Sequence, residues 1–277
     1  MSLKITILVE NSPGEHLALE HEHGLSFHID RDGRQGLFDT GQSGAFIRNA
    51  KKLNIDLNNL EYVAVSHGHY DHSGGVRPLA EKNTNFRLVT GQGFFEEKYA
   101  RRGNAHEYLG NDFGRTFLED KGIELEVVDE PHREIAPGVH ALTAFPRQNE
   151  DEKVNPRFEV FRDGEFAPDV FGDEILLAVE SPRGLVVLLG CSHPGVKNML
   201  DFVTETLKKP VHAVLGGTHL VESSTQSLGK TLDYLKAMDV KIIGVSHCTG
   251  QKAMENLGTF FNDRFFHNRT GCCLFVK

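Results

Sequence analysis

The histidine-rich run at residues 66–75 constrains the fold of this chain more than any other feature. It reads Ser-His-Gly-His-Tyr-Asp-His-Ser-Gly-Gly and directly follows the apolar segment Tyr62–Val65. The β-branched content of that segment predicts a buried strand, so the polar run begins where a strand ends. His67 and His69 are two residues apart, which lets both imidazoles face one side of extended backbone. The fold must therefore place several ligand-type side chains at the end of a buried strand.

Metal binding is the chemistry that this run predicts. His67, His69, Asp71 and His72 place four ligand-type side chains within six positions. Imidazole and carboxylate together suit zinc, iron or manganese rather than calcium or magnesium. The alternative is a polar turn that contains three histidines by chance, and the density of ligand types disfavours it. The total of 15 histidines points the same way.

Two later histidines also follow predicted strands. His193 lies in the run Gly190–Gly195 after the apolar segment Leu185–Leu189, and His247 follows the segment Lys241–Val245. The carboxyl ends of strands are the edge at which α/β sheets build their sites. This location favours metal ligation by both histidines over a purely structural role.

The order of predicted elements indicates an α/β (or α+β) fold. Strands alternate with helices in the opening and closing thirds, which predicts one domain over residues 1–277 with two α/β halves, about 1–143 and 174–277, packed sheet against sheet. The charged stretches 94–122 and 145–173 are predicted to be irregular, apart from a short helix at Phe113–Lys121. Loops of this length are either lids and binding loops or solvated insertions, and both alternatives stay open.

Composition excludes several classes of partner. Lys and Arg total 30 against 39 Asp and Glu, a net charge of −9, which disfavours nucleic-acid binding through charge attraction. No apolar run approaches the ~20 residues of a membrane span, and the N-terminus lacks a signal-peptide core, so we expect a cytoplasmic protein without a membrane partner. The four cysteines include no Cys-x-x-Cys spacing, which argues against a disulfide framework and a zinc ribbon. The sequence predicts no oligomeric state.

The run at 66–75 resembles the His-x-His-x-Asp-His motif of the metallo-β-lactamase superfamily, and the Asp-Thr-Gly at 39–41 is similar to a second motif of that superfamily. Seven segments resemble a subgroup of that superfamily that is often called dihydropterin synthase-like. They are Val9–Asn11, Glu22–Phe27, Leu37–Gln42, Phe145–Arg147, Gly190–Gly195, Gly216–Leu220 and His247–Gly250. The resemblance implies a four-layer αββα sandwich that binds one or two divalent ions, with zinc preferred and iron or manganese as alternatives. The implied ligands are His67, His69, Asp71, His72, His193 and His247, with His193 completing the first ion's set and His247 the second's.

The resemblance also implies supporting roles and one departure. Asp39 would support the metal loop from behind the ligands, and Asp71 would help to orient the attacking water. Many superfamily members carry a bridging Asp where this chain has Cys191. Cys191 could bridge as a thiolate or support the site, or the bridge could be missing. Asp169 or Asp173 could also reach in from the irregular segment.

The function implied is that of a metal-dependent hydrolase, in which metal-activated water attacks a phosphoester, a phosphodiester or a related small anionic substrate. One alternative is a dihydropterin synthase-like condensing enzyme that displaces pyrophosphate, and another is a non-catalytic metal-binding or regulatory protein. A flavodiiron-type oxidoreductase normally has Glu where this chain has His69. The predicted substrate-binding residues are His219, Arg147 and His23.

Overall fold

The computed structural model describes residues 2–277, which form two seven-stranded sheets, one small sheet and seven helices. In chain order the strands are β1 (Leu3–Val9), β2 (Ser26–Arg31), β3 (Arg34–Phe38), β4 (Leu60–Ala64), β5 (Arg87–Gly91), β6 (Glu97–Arg102), β7 (Ala105–Tyr108), β8 (Glu124–Val128), β9 (His132–Ala136), β10 (Val139–Leu142), β11 (Phe158–Arg162), β12 (Glu165–Pro168), β13 (Leu176–Ser181), β14 (Gly184–Leu189), β15 (Val211–Gly217), β16 (Ile242–Ser246), β17 (Phe265–His267) and β18 (Cys273–Val276). The helices are α1 (Ala45–Lys52), α2 (Tyr70–Ser73), α3 (Val76–Ala80), α4 (Arg115–Lys121), α5 (Val196–Leu207), α6 (Thr225–Ala237) and α7 (Gln251–Phe261).

The two large sheets pack face to face around the central core. The first has the order β18-β1-β2-β3-β4-β5-β8 and the second β17-β16-β15-β14-β13-β10-β9. Ile5 and Phe27 of the first sheet and Leu177 and Leu188 of the second lie in one buried cluster between them. The apolar side chains of both sheets are thereby removed from water, which is the main driving force for this layering.

Helices cover the outer face of each large sheet. A second buried cluster packs α1, α3 and α4 against the first sheet, and a third packs α5, α6 and α7 against the second. The predicted four-layer αββα sandwich is therefore confirmed. Within residues 2–277 no helix is long and apolar enough to cross a membrane.

Parallel strands carry the ligand runs to a shared edge of the two sheets. Strands β3, β4 and β5 are parallel neighbours in the first sheet, as are β14, β15 and β16 in the second. Gly190 follows β14 at the point where the sheets approach each other. A Cβ atom there would lie 2.2 Å from Ser66 Oγ, so only glycine permits this approach.

The prediction of two irregular segments is wrong. Residues 94–122 contain β6 and β7, residues 145–173 contain β11 and β12, and these strands form one sheet of order β12-β11-β6-β7. Ala100 pairs with Phe158, so each segment depends on a partner that is remote in sequence. Strand β12 and most of β7 are exposed, which explains why hydrophobic alternation does not reveal these strands.

The two large sheets exchange elements across the predicted halves. Strands β9 and β10 precede residue 143 yet lie in the second sheet, and the last strand, β18, lies in the first. Leu274 of β18 pairs with Ile5 of β1. The boundary at about residue 143 therefore does not coincide with a boundary between sheets.

We expect Leu177→Ala to lower the free energy of unfolding by about 2–5 kcal/mol, because it leaves a cavity in the core between the sheets. Leu177 is fully buried, whereas Leu17 is 90% exposed. Leu17→Ala is thus a matched control, for which we expect a change within about 0.5 kcal/mol. Equilibrium denaturation of both variants measures the difference, and equal effects would contradict the assigned core.

Candidate metal centre

Three buried histidines form the first donor group, which consists of His67, His69 and His193. Each offers a ring nitrogen, and these nitrogens lie within 4.8 Å of one another. Burial lowers the pKa of all three imidazoles well below the ordinary value, so they are neutral and have a lone pair to donate. Nε2 of His69 and Nε2 of His193 are buried and have no hydrogen-bond partner among residues 2–277. Such unpaired nitrogens are costly unless they meet a cation, and the set fits a zinc-type ion.

The second donor group is centred on Asp71. Its Oδ2 lies 3.3 Å from His247 Nε2, 3.7 Å from His72 Nε2 and 3.1 Å from His23 Nε2. Burial alone would raise the pKa of Asp71, but the nearby His72, the hydrogen bond from His23 and the proximity of His247 hold it well below the usual range. Nε2 of His247 is buried and makes no hydrogen bond within the described residues 2–277. An ionised carboxylate beside this unpaired nitrogen also fits a divalent ion.

Cys191 lies between the two donor groups. Its Sγ is 3.3 Å from His72 Nε2, and it belongs both to a cluster with His67 and His72 and to one with His247 and Cys248. Burial raises the pKa of the Cys191 thiol well above its ordinary value. The sulfur therefore occupies the space between the donor groups, whereas ligation by Cys191 stays a prediction.

Asp39 lies beside Ser66 and His72. Its carboxylate accepts hydrogen bonds from Ser66 N at 2.7 Å, Ser66 Oγ at 2.9 Å and His72 Nδ1 at 2.7 Å. Burial alone would lower the pKa of His72, but Asp39 and Asp71 raise it to about 9. Because Nδ1–H is donated to Asp39, the Nε2 atom of His72 is the one directed toward Asp71 and Cys191.

Two further carboxylates, which the sequence analysis does not identify, hold the backbone of the later ligand loops. Glu174 accepts hydrogen bonds from Ser192 N at 2.6 Å and His193 N at 3.0 Å, and Glu10 accepts one from His247 N at 2.8 Å. Burial raises the pKa of Glu174 to about 8. Glu10 lies in the segment Val9–Asn11 that resembles the dihydropterin synthase-like subgroup, whereas Glu174 directly precedes an apolar stretch and has no motif around it.

A buried lysine connects the small sheet to the metal loop. Lys98 of β6 is 1% exposed, and its Nζ lies 2.7 Å from Asp169 Oδ2 and 2.9 Å from Asp173 Oδ1. Asp173 Oδ2 in turn accepts a hydrogen bond from Gly68 N at 2.8 Å. Burial would lower the pKa of Lys98, but the two carboxylates raise it. Asp169 and Asp173 are thus engaged by Lys98 rather than directed at the donor groups, which contradicts the idea that they reach in as ligands.

The three predicted substrate-binding residues lie in different surroundings. The His219 ring is 4.4 Å from the His193 ring, and both residues line a cavity of about 390 Å³. His23 is half-exposed beside Asp71. The Arg147 guanidinium donates hydrogen bonds to the carbonyl oxygens of His193 at 3.3 Å and Val170 at 2.7 Å. These bonds use N–H donors that Arg147 would need in order to bind an anion. Substrate binding by these residues stays a prediction.

The family of this chain is established by its similarity to known proteins. The sequence profile of the metallo-β-lactamase superfamily matches residues 22–247. The chain belongs to the metallo-β-lactamase superfamily. Its members are enzymes, and this member has His, Asp and Cys clusters that could hold a metal.

Relatives of this superfamily member include both a hydrolase and a synthase. Tm1679, a metal-dependent hydrolase of the β-lactamase superfamily, is 31% identical with a TM-score of 0.86, and the match covers 98% of each chain. The 7,8-dihydropterin-6-methyl-4-(β-D-ribofuranosyl)-aminobenzene-5′-phosphate synthase of Methanocaldococcus jannaschii is 30% identical over 92% of this chain and 90% of its own length. An uncharacterized protein of the same organism is 30% identical over 95% of this chain and 97% of its own.

We expect Asp39→Asn to weaken metal binding by about 10–100-fold, because it replaces a charged acceptor of the His72 Nδ1–H bond. Competition with a chromophoric chelator measures this affinity. Asp120→Asn, on the exposed surface of α4, makes the same chemical change away from the site and should bind as the parent does. Equal affinity in the two variants would show that Asp39 does not support the ligands.

We expect Lys98→Met to lower the free energy of unfolding by about 3–5 kcal/mol, since it leaves two buried carboxylates without their cation. Lys51→Met, at an exposed position of α1, is the control, and its free energy of unfolding should change by no more than about 0.5 kcal/mol. Denaturation curves recorded without metal separate this effect from any loss of bound ion. A Lys98 variant as stable as the control would rule out the ion-pair network.

Proposed function

We propose that this enzyme is a metal-dependent hydrolase that uses one or two divalent ions, preferably zinc, on a phosphoester, a phosphodiester or a related small anionic substrate. The observation that carries the proposal is the pair of donor groups, one of His67, His69 and His193 and one centred on Asp71. In the first group, two buried nitrogens find no hydrogen-bond partner in the part of the chain that the structure describes. The 31% identity with a metal-dependent hydrolase over 98% of both chains supports the same class of activity.

The ligand residues have distinct roles in this proposal. His67, His69 and His193 would hold the first ion, and Asp71, His72 and His247 the second. When bound, such ions polarise the substrate and supply a nucleophilic water at neutral pH. Asp71 would orient that water, because its carboxylate is ionised and lies between His23 and His247.

The cavity beside His193 is the proposed substrate site. Its wall includes His219, Lys153 and Lys230, whose side chains suit an anion. Two of the four acidic residues of the same wall are already engaged. Asp151 lies 2.6 Å from Lys197 Nζ, and Glu152 accepts hydrogen bonds from backbone N–H groups at the start of α5. Their charges therefore repel an anionic substrate less than their number suggests.

A second candidate function is condensation of the dihydropterin synthase type. The 30% identity with the Methanocaldococcus jannaschii synthase over 92% of this chain favours it. In that reaction the same ligand residues would hold ions that stabilise a pyrophosphate leaving group while an arylamine attacks the pterin methylene carbon. The water-orienting role of Asp71 has no part in such a step.

We expect the purified protein to hold one to two transition-metal ions per chain and to hydrolyse an aryl phosphodiester or phosphomonoester. His67→Ala should lose metal and activity together, because it removes one donor from a small set. His106→Ala, in the small sheet, is the control and should retain both. The assay set also includes a thioester, a lactam and a dihydropterin pyrophosphate with an arylamine phosphate. If only the dihydropterin pyrophosphate and the arylamine phosphate gave a product, the enzyme would be a synthase rather than a hydrolase. Full metal content in His67→Ala would falsify the ligand assignment.

A further inference from the structure

The Asn11 side chain lies between the two histidines that flank Asp71. Its Oδ1 is 2.8 Å from His247 Nδ1, and its Nδ2 is 3.2 Å from His23 Nδ1. The two imidazole rings are 5.1 Å apart. One amide therefore presents its acceptor to the first ring and its donor to the second.

The orientation of the Asn11 amide is set by a third partner. Gly24 N lies 3.1 Å from Asn11 Oδ1. A backbone N–H can only donate, so the atom that it meets must be the amide oxygen. If the amide were turned over, its NH₂ group would face the N–H of Gly24. The assignment of oxygen toward His247 and nitrogen toward His23 follows from this contact.

These contacts set the tautomer of His247. Its Nδ1 faces an oxygen acceptor, so that nitrogen carries the proton and the lone pair is on Nε2. Nε2 of His247 is buried, has no hydrogen-bond partner among the residues that the structure describes, and lies 3.3 Å from Asp71 Oδ2. An imidazole that donates through Nδ1 and leaves Nε2 free is in the form that binds a metal.

The same amide gives His23 the opposite tautomer. Its Nδ1 accepts from the Asn11 NH₂ group, so in the neutral ring the proton is on Nε2, which lies 3.1 Å from Asp71 Oδ2. The backbone holds His23 at this point, since Leu25 N donates to the Asp71 carbonyl oxygen at 3.3 Å. A Cβ on Gly24 would lie 2.5 Å from the same carbonyl oxygen, so the two segments are in close contact.

We propose that Asn11 is a positioning residue that gives His247 and His23 opposite tautomers, so that His247 is a metal ligand and His23 is a hydrogen-bond donor to Asp71. Distance alone would admit His23 as a ligand, because it forms a donor cluster with Asp71 and His247. The Asn11 amide excludes His23 as a ligand. If Nε2 of His23 bound the ion, Nδ1 would carry the proton, and that proton would face the NH₂ group of Asn11. His23 would instead fix the Asp71 carboxylate through Nε2–H.

The tautomers are tested in the metal-free protein labelled with ¹⁵N-histidine, at about pH 9, above the ordinary histidine pKa. Long-range ¹H–¹⁵N spectra distinguish the two neutral forms, and His23→Gln and His247→Gln assign the two signals. We expect Nδ1–H for His247 and Nε2–H for His23. In Asn11→Asp, which accepts but cannot donate, His23 should gain a proton on Nδ1 while His247 is unchanged. Asn104→Asp, in the exposed turn between β6 and β7, should leave both signals as in the parent.

The proposal is overturned if His23 carries Nδ1–H in the parent or keeps its parental signal in Asn11→Asp. Its metal-binding part rests on the proposed function and is measured separately, by titration with Zn²⁺. Asn11→Ala should weaken the ion held by Asp71, His72 and His247 by about 10–100-fold and leave the ion at His67, His69 and His193 unchanged. Unchanged affinity for both ions would refute this part. A parent that binds no zinc would instead refute the proposed function, while the tautomer result would stand.

Discussion

Buried carboxylates hold the backbone of every loop that carries a candidate metal ligand. Four of them accept backbone N–H groups in or beside the ligand runs: Asp39 from Ser66, Asp173 from Gly68, Glu174 from His193 and Glu10 from His247. An unpaired carboxylate in the interior would be very unfavourable, so each carboxylate and its loop stabilise each other. The positions of the histidines are thus determined by charges that the ligands themselves do not carry.

The buried carboxylates differ in whether a nearby cation neutralises them. Lys98 balances Asp173, and His72 balances Asp39, as its pKa of about 9 reflects. Glu174 has no comparable ion pair at short range within residues 2–277, and burial raises its pKa to about 8. Divalent cations in the donor groups would add positive charge nearby. Asp71, whose pKa is held well below the usual range, supplies the negative charge that favours cation binding.

The sequence predicts those parts of the structure in which local pattern and chemistry agree. The strand before His67 and the αββα layering follow from hydrophobic periodicity and from the family motif. The small sheet could not be predicted, because its strands are exposed and pair between segments that are distant in sequence. Lys98 and Glu174 were missed for a related reason, because a single Lys or Glu looks like a surface residue until the fold buries it. Asn11 lies in a segment that resembles the family, but only the fold shows that its amide stands between two imidazole rings.

The pairing of β1 with β18 has a consequence for the order in which the molecule is made. During synthesis the N-terminal strand leaves the ribosome first, yet its neighbour on one side is the last strand of the chain. His247, whose backbone is held by Glu10, also emerges late. Until then β1 has an open edge able to pair with another chain, and the Asp71 donor group is incomplete. The Asp71 donor group can therefore be complete only once His247 has emerged, long after the histidine motif.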